Sequence, residues 1–461
     1  MSVETYIIYP SNKHNRPSPP SRVVLHGLDR IGSPIQIRNH RFFHAPKDAS
    51  VITFDQLVDR LKDSLAEALE LYPPVAGTIE SDEKSDIYSL MGFEYNKGTP
   101  FLVEKKSTLY QGDTDDIGPR QEVILAETAS VLAVKVTQFS CGTIAVASSF
   151  SHQVTDLRGT LDFLELWALI HRGEPIDFNH IPDDWTHTPG RFFQGLTTTS
   201  ATKTPSPFFL LDKPALGPPA YLSVPSVVTF WKFTSSDMKR LKEDLSPSDP
   251  TSWISSGDAL ASLVCGVITR AREHASVPRL EGRSSEEEPH EQVAMAADGR
   301  DRAPKNDMAG GHYFGNFNPL WNATISRSGL LDASPASASR VALAIRTALT
   351  KELSPEAIGY KISFFEDPNN QQPPGRISWS ADLILTNWCK NDIKGPKLDF
   401  GWGKPFHATS GRGGSLPPGY CLMTHDYGTG DTTVLMTIEE KGVDELKSDS
   451  LLNQYATQIT E

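Results

Sequence analysis

The chain has 461 residues, with 44 Lys and Arg against 57 Asp and Glu and a formal net charge of −13. That balance excludes nucleic acid as the main partner, because phosphate binding needs a clustered basic surface. With 38% hydrophobic and 22% charged residues, a broadly disordered chain is excluded too. Length alone allows about two to four domains. Any anionic ligand must be held by a local patch, not by the overall field.

The cysteines Cys141, Cys265, Cys389 and Cys421 are scattered singly, with no CxxC and no metal-site spacing. A reducing compartment is expected, with no disulfide framework and no zinc site. Met1 to Ile8 lacks a basic stretch followed by an apolar run, so it opens as a strand and not as a signal peptide. No apolar run approaches the ~18 residues of a membrane span. The expectation is a cytoplasmic enzyme with no membrane partner.

Along the chain, Phe54 to Leu71 carries Leu57, Leu61, Leu65, Ala68 and Leu69 as one helical stripe, closed by Tyr72-Pro73-Pro74. Between Ser130 and Phe150, two β-branched arms flank Ser140-Cys141-Gly142, which predicts a hairpin. Leu157 to His171 sets Leu157, Leu161, Leu164 and Ala168 on one helical face. Thr197 to Pro225, rich in Pro, Thr and Ser, reads as a surface connection dividing residues 1–196 from 226–461. In the second half Asp258 to Arg270 reads as a helix, and Ile377 to Leu385 and Thr433 to Ile438 as strands. Val277 to Glu291 and Glu366 to Gly375 read as polar loops. The class is α/β, with parallel and mixed sheets both open.

Thirteen histidines give a His-x-x-x-Asp spacing three times: His44 with Asp48, His152 with Asp156, and His180 with Asp184. Only His152-Gln-Val-Thr-Asp156 joins the end of a predicted strand to the start of a predicted helix. Such a junction is rigid yet can face a cleft. An imidazole, with a reference pKa near 6.5, can take a proton from an alcohol or amine. Asp156 could orient that ring, cap the helix or pair with a distant arginine. A purely structural histidine with a plain helix cap fits the same spacing.

Asp399-Phe-Gly-Trp-Gly-Lys-Pro405 reads as a constrained turn with an aromatic plug and a buried ion pair open to Asp399. Tyr313-Phe-Gly-Asn-Phe-Asn-Pro319 is also turn-like, with an Asn amide able to tie backbone groups. Gly411-Arg-Gly-Gly-Ser415 reads as a flexible loop. No Gly-x-Ser-x-Gly elbow, Gly-rich phosphate loop or His-Glu-x-x-His occurs.

The pair His152-Gln-Val-Thr-Asp156 and Asp399-Phe-Gly-Trp-Gly403, in that order, resembles the BAHD acyltransferases, acyl-CoA-dependent enzymes of specialised metabolism. Leu65 to Gly77, ending Tyr-Pro-Pro-Val-Ala-Gly, is similar to the family's helix and following turn. Asp258-Ala-Leu260, Asp298 to Arg302, Tyr313 to Asn316 and Thr386-Asn-Trp388 follow in family order. Many plant members have Gly directly after the motif Asp. Here Leu157 stands there and the glycine comes at 159, which looks more like fungal members such as trichothecene 3-O-acetyltransferase.

The resemblance implies a two-domain chloramphenicol acetyltransferase-like fold, each domain a mixed sheet flanked by helices, with an active-site channel between them. It implies transfer from an acyl-CoA co-substrate, acetyl-CoA foremost, to a small-molecule alcohol or amine, by a monomer with no bound cofactor. His152 would be the general base in a ternary complex, and Thr386 and Trp388 the oxyanion donors. Asp156 would hold the motif through an ion pair with Arg300, and Asp399 would be structural. Lys404, Arg270 and Arg412 are the cations considered for the CoA phosphates. An acidic chain would then need a small basic mouth on one side of the channel. The alternative is that the same fold and histidine hydrolyse or cyclise an ester or thioester without CoA-dependent transfer.

Overall fold

The computed structural model describes the chain apart from residues 1–2, 17–21, 26, 31–35, 47–51, 82–90, 95–97, 121–128, 183–184, 186–188, 198–200, 214–223, 279–288, 305–312, 371–375, 412–415 and 461. In the first half it has β1 (Glu4–Ile8), β2 (Gln36–Phe43), α1 (Phe54–Leu71), β3 (Thr99–Lys105), β4 (Leu132–Gln138), β5 (Ile144–Ser151) and α2 (Leu157–His171). The second half contributes β6 (Ser226–Phe233), α3 (Ser256–His274), β7 (His290–Ala296), β8 (Leu320–Ser326), α4 (Pro335–Glu352), β9 (Leu383–Asn387), β10 (His407–Thr409), β11 (Tyr420–His425), β12 (Thr432–Glu439) and β13 (Thr457–Ile459). None of the described helices is long and apolar enough to cross a membrane.

Both large sheets are mixed. The first runs β1-β3-β4-β5-β2-β10, with β3 and β4 parallel and the other pairs antiparallel. The predicted hairpin is its centre, with Gln138 opposite Ile144. The second runs β8-β7-β9-β11-β12-β6-β13, with β9 parallel to both neighbours. The two helices of the first half have the predicted bounds. A Thr53–Gln56 capping box opens α1, and Pro73 and Pro74, lacking N–H groups, end its ladder. Ile377 to Leu385 proves to be two strands, Ile377–Ser378 and Leu383–Asn387, broken by a bend.

The two halves interlock. The core of the first sheet and its helices, built on Leu61, Leu65, Phe163 and Trp167, also takes in Ile393, Leu398 and Phe400 from the second half. Strand β10 then joins the edge of the first sheet, so the segment from Ile393 to Thr409 is built into the opposite body. Thr197 to Pro225, expected as a surface connection, buries Ala201 and Phe208 beside Phe364 and Phe365, because an apolar Phe gains more from burial than the turn residues around it. Its Phe209–Leu210 strand pairs with Ile377–Ser378.

Candidate active site

Strand β5 ends at Ser151 and His152 is the next residue. The chain turns at once, with the Val154 N–H on the Ser151 carbonyl at 3.1 Å. Helix α2 then begins under Asp156, whose Oδ1 accepts the Gly159 N–H at 3.1 Å as its N-cap. His152 is therefore fixed by a central strand behind it and a capped helix ahead of it, half-buried at their junction.

Asp156 does more than cap. Its Oδ2 accepts Arg300 Nη1 at 2.8 Å and the Phe317 N–H at 2.8 Å, and its Oδ1 accepts Arg300 Nη2 at 3.1 Å. The two side chains are 7% and 3% exposed. Burial pushes the Asp156 carboxyl up, but the Arg300 charge and the converging N–H donors outweigh it and hold it below the usual carboxylate range. Burial likewise lowers Arg300, and the Asp156 carboxylate more than reverses this. Arg300 also donates to the carbonyls of Tyr313 and Gly315. The pair therefore nails the 313–317 segment to the first turn of α2.

Gly159 belongs to the same junction: a Cβ there would fall on the Phe314 carbonyl and the Thr155 hydroxyl. The glycine two places later than in many family members thus has a physical reason, the close passage of helix α2 under the second half. Thr155 Oγ1 donates to that same Phe314 carbonyl at 2.7 Å.

The segment so held delivers Asn316 to the histidine. Asn316 Oδ1 lies 3.1 Å from His152 Nδ1, and Asn316 Nδ2 donates to the His152 carbonyl at 2.8 Å. Since the amide oxygen can only accept, Nδ1 carries a hydrogen, and in the neutral ring Nε2 is left with the lone pair. A neutral imidazole in this tautomer is a base at Nε2.

Thr386 and Trp388 lie at and just past the end of β9. The Thr386 hydroxyl is beside the Tyr420 phenol, the Trp388 main-chain N–H donates to the Met423 carbonyl at 2.8 Å, and the indole packs against the core of the first half. Among the described residues, Asp399 makes no buried ion pair. Its Oδ1 instead accepts the N–H groups of Gly401 (2.6 Å) and Gly403 (2.9 Å). Both glycines have positive φ, +102° and +119°, which lets their amides turn toward one carboxylate. Phe400 and Trp402 stack beside His171 and Phe43, so the loop plugs the first core.

Of the three cations considered for CoA, Lys404 is exposed and Arg412 lies outside the described residues. Arg270 is buried in the second half, with Nε and Nη2 on Asp449 at 2.7 and 3.1 Å and Nη1 on the Leu330 carbonyl at 3.0 Å. Its charge is already matched. Other cations lie at the start of α3, with Asp258 and Asp301 among them. Arg346 lies 4.3 Å over the ring of Trp253, which is 62% exposed, and donates to Asp258 at 2.7 Å. Burial, then the Arg346 charge, lowers Arg302 beside it, and Lys390 stands exposed near Asp301. Asn387, between Thr386 and Trp388, is the neighbour of Gly257 in the first turn of α3. Sequence reasoning missed this cluster. Its one local signal is the Ser255–Asp258 capping box, which marks a helix N-terminus.

The model of the Transferase family matches residues 2–451. The chain belongs to the BAHD acyltransferase family. Among curated relatives, a hydroxycinnamoyl-CoA:5-hydroxyanthranilate N-hydroxycinnamoyltransferase of Avena sativa is 25% identical over 75% of this chain and 76% of that protein. A taxadien-5-alpha-ol O-acetyltransferase of Taxus cuspidata is 31% identical over 34% of this chain and 38% of the relative. Among solved structures, F. graminearum TRI101 complexed with coenzyme A and T-2 mycotoxin superposes with a TM-score of 0.75 at 15% identity, covering 95% of this chain and 100% of that one. This BAHD enzyme thus has the two-domain chloramphenicol acetyltransferase-like fold that its sequence implied.

Proposed function

We propose that this BAHD enzyme transfers an acyl group, acetyl foremost, from a CoA thioester to a hydroxyl or amine of a small molecule, with His152 as general base. The observation that carries this reading is the Asn316 contact, which leaves His152 Nε2 as the acceptor of a proton. In the reaction Nε2 takes the proton of the acceptor hydroxyl or amine as its oxygen or nitrogen bonds to the thioester carbonyl carbon. The tetrahedral oxyanion is met by Thr386 and Trp388. The carbon–sulfur bond then breaks, and the imidazolium returns its proton to the leaving thiolate. Asp156 keeps the motif in place through Arg300 and moves no proton, since its carboxylate is filled with N–H donors.

The start of α3 is the proposed mouth for the CoA moiety. Trp253 offers a face for the adenine, and Arg302, Arg346 and Lys390 exceed the paired Asp258 and Asp301 by one positive charge. A panel of alcohols and amines incubated with acetyl-CoA tests the proposal, reading free thiol and product mass. Thiol release that depends on an acceptor supports it. Equal release without any acceptor, or product formation without CoA, would replace it with hydrolysis or cyclisation.

A further inference from the structure

Asp29, in the short 3-10 turn Gly27–Arg30 of the first half, is 2% exposed. Its Oδ1 accepts two bonds from one residue, the Asn316 main-chain N–H at 3.1 Å and Asn316 Nδ2 at 3.0 Å. The same Nδ2 donates to the His152 carbonyl, while the amide oxygen takes His152 Nδ1. Turned over, that amide would set its oxygen against a carboxylate and a carbonyl, two acceptors, in a buried place. Buried acceptors left facing one another lose their hydrogen bonds, so the orientation is fixed from behind.

We infer that Asp29 is a positioning residue for the transfer reaction: acting through the Asn316 amide, it sets the His152 tautomer that leaves Nε2 unprotonated. The inference rests on the reading of His152 as the base. Asp29 does not touch the ring and relays no proton. It selects which face of Asn316 the ring meets, across two elements 287 residues apart. The sequence carries no trace of this link, because a lone Asp in a turn has no motif.

The test is ring-15N histidine labelling at pH 8, with the His152 signal assigned by its loss in His152→Ala. The wild-type enzyme should show a protonated Nδ1 and a bare Nε2. In Asp29→Ala the populations should move toward the Nε2–H form, with kcat down about 10–100-fold and both KM values within about threefold, the range seen when an outer support of a site is removed. Asp29→Asn, whose own carbonyl can still accept from Asn316, should keep the wild-type tautomer and most of kcat. A wild-type Nε2–H tautomer, or an Asp29→Ala enzyme with unchanged tautomer and kcat, would overturn the inference. Should Asp29→Ala not fold, Asp29→Ser and the wild-type spectrum still decide. Full turnover by His152→Ala would refute the base reading itself, whereas an Asp29→Ala enzyme with the wild-type tautomer and kcat refutes only the positioning.

Discussion

Asp156 and Arg300 meet as a bidentate pair, at 2.8 and 3.1 Å, across 144 residues of chain. The acidic member of the His-x-x-x-Asp motif thereby belongs to the joint between the two halves of the enzyme as much as to its own helix. Removing either partner leaves a buried charge unmatched, which costs about 3–5 kcal/mol. Asp156→Ala should lose stability of that order in denaturant unfolding and lose activity with it. The double variant with Arg300→Met should be less unstable than the sum of the single ones. Strict additivity would mean that the pair is not coupled. Because the folded carboxyl is held below its unfolded value, its contribution is present above about pH 4 and is lost as pH falls through the folded value.

His152→Ala should lower kcat by about 10²–10⁴, the usual worth of a positioned general base, with an unfolding midpoint near that of the wild type. Steady-state rates with acetyl-CoA and an identified acceptor check this. A variant with near-normal turnover would remove His152 from the chemistry.

His171 ends α2 and is buried. Burial lowers its pKa to about 4, although its Nδ1 donates to the Phe400 carbonyl. Between about pH 6.5 and 4 the unfolded chain takes up a proton here that the folded chain refuses, so stability rises with pH across that window. The loss at its acid end is about 3 kcal/mol at most, from a shift of about 2.5 at ~1.36 kcal/mol for each pH unit. Thermal unfolding from pH 4 to 7.5 should show this slope in the wild type and a shallower one in His171→Gln.

Gly159→Ala inverts a familiar rule. In an exposed helix interior the change would gain about 1 kcal/mol. Here the added methyl falls on the Phe314 carbonyl, which cannot retreat without disturbing the segment that Asp156, Arg300 and Thr155 hold. A loss of about 1–3 kcal/mol is expected, as for overpacking elsewhere, with kcat reduced through Asn316. Urea unfolding and kinetics of the same preparation give both readings.

Trp253→Ala should raise KM for the acyl-CoA about tenfold, in the range of one lost base-stacking contact. Neither kcat nor KM for the acceptor should change. Unchanged KM for the acyl-CoA would move its adenine away from the start of α3.

Local physics made much of this legible from sequence. The stripe from Leu57 to Leu69, the two arms around Cys141-Gly142 and the Leu157–His171 face each encode an element through neighbours a few residues apart. The His152 and Asp156 pair stood out because it sits between two such elements. Arg300 was reached through family resemblance, since nothing local ties it to Asp156. Asn316 was visible as an amide in a turn, but its partner was not.

By itself, then, the sequence determined the α/β class, the principal helices and strands, the family and the histidine at a strand–helix junction. The opening charge of −13 also required any anion site to be local. Tertiary structure decided where charge is spent and which ring nitrogen of His152 faces Asn316. Arg270 disappears into a pair with Asp449, Arg346 gathers beside Trp253, and the Asp399 loop fills the core of the opposite half. Asn316 meets His152 across the joint, held from behind by Asp29. The reason is physical: periodicity and turn chemistry act over a few residues. Hydrogen bonds between segments hundreds of residues apart exist only once the buried faces have packed.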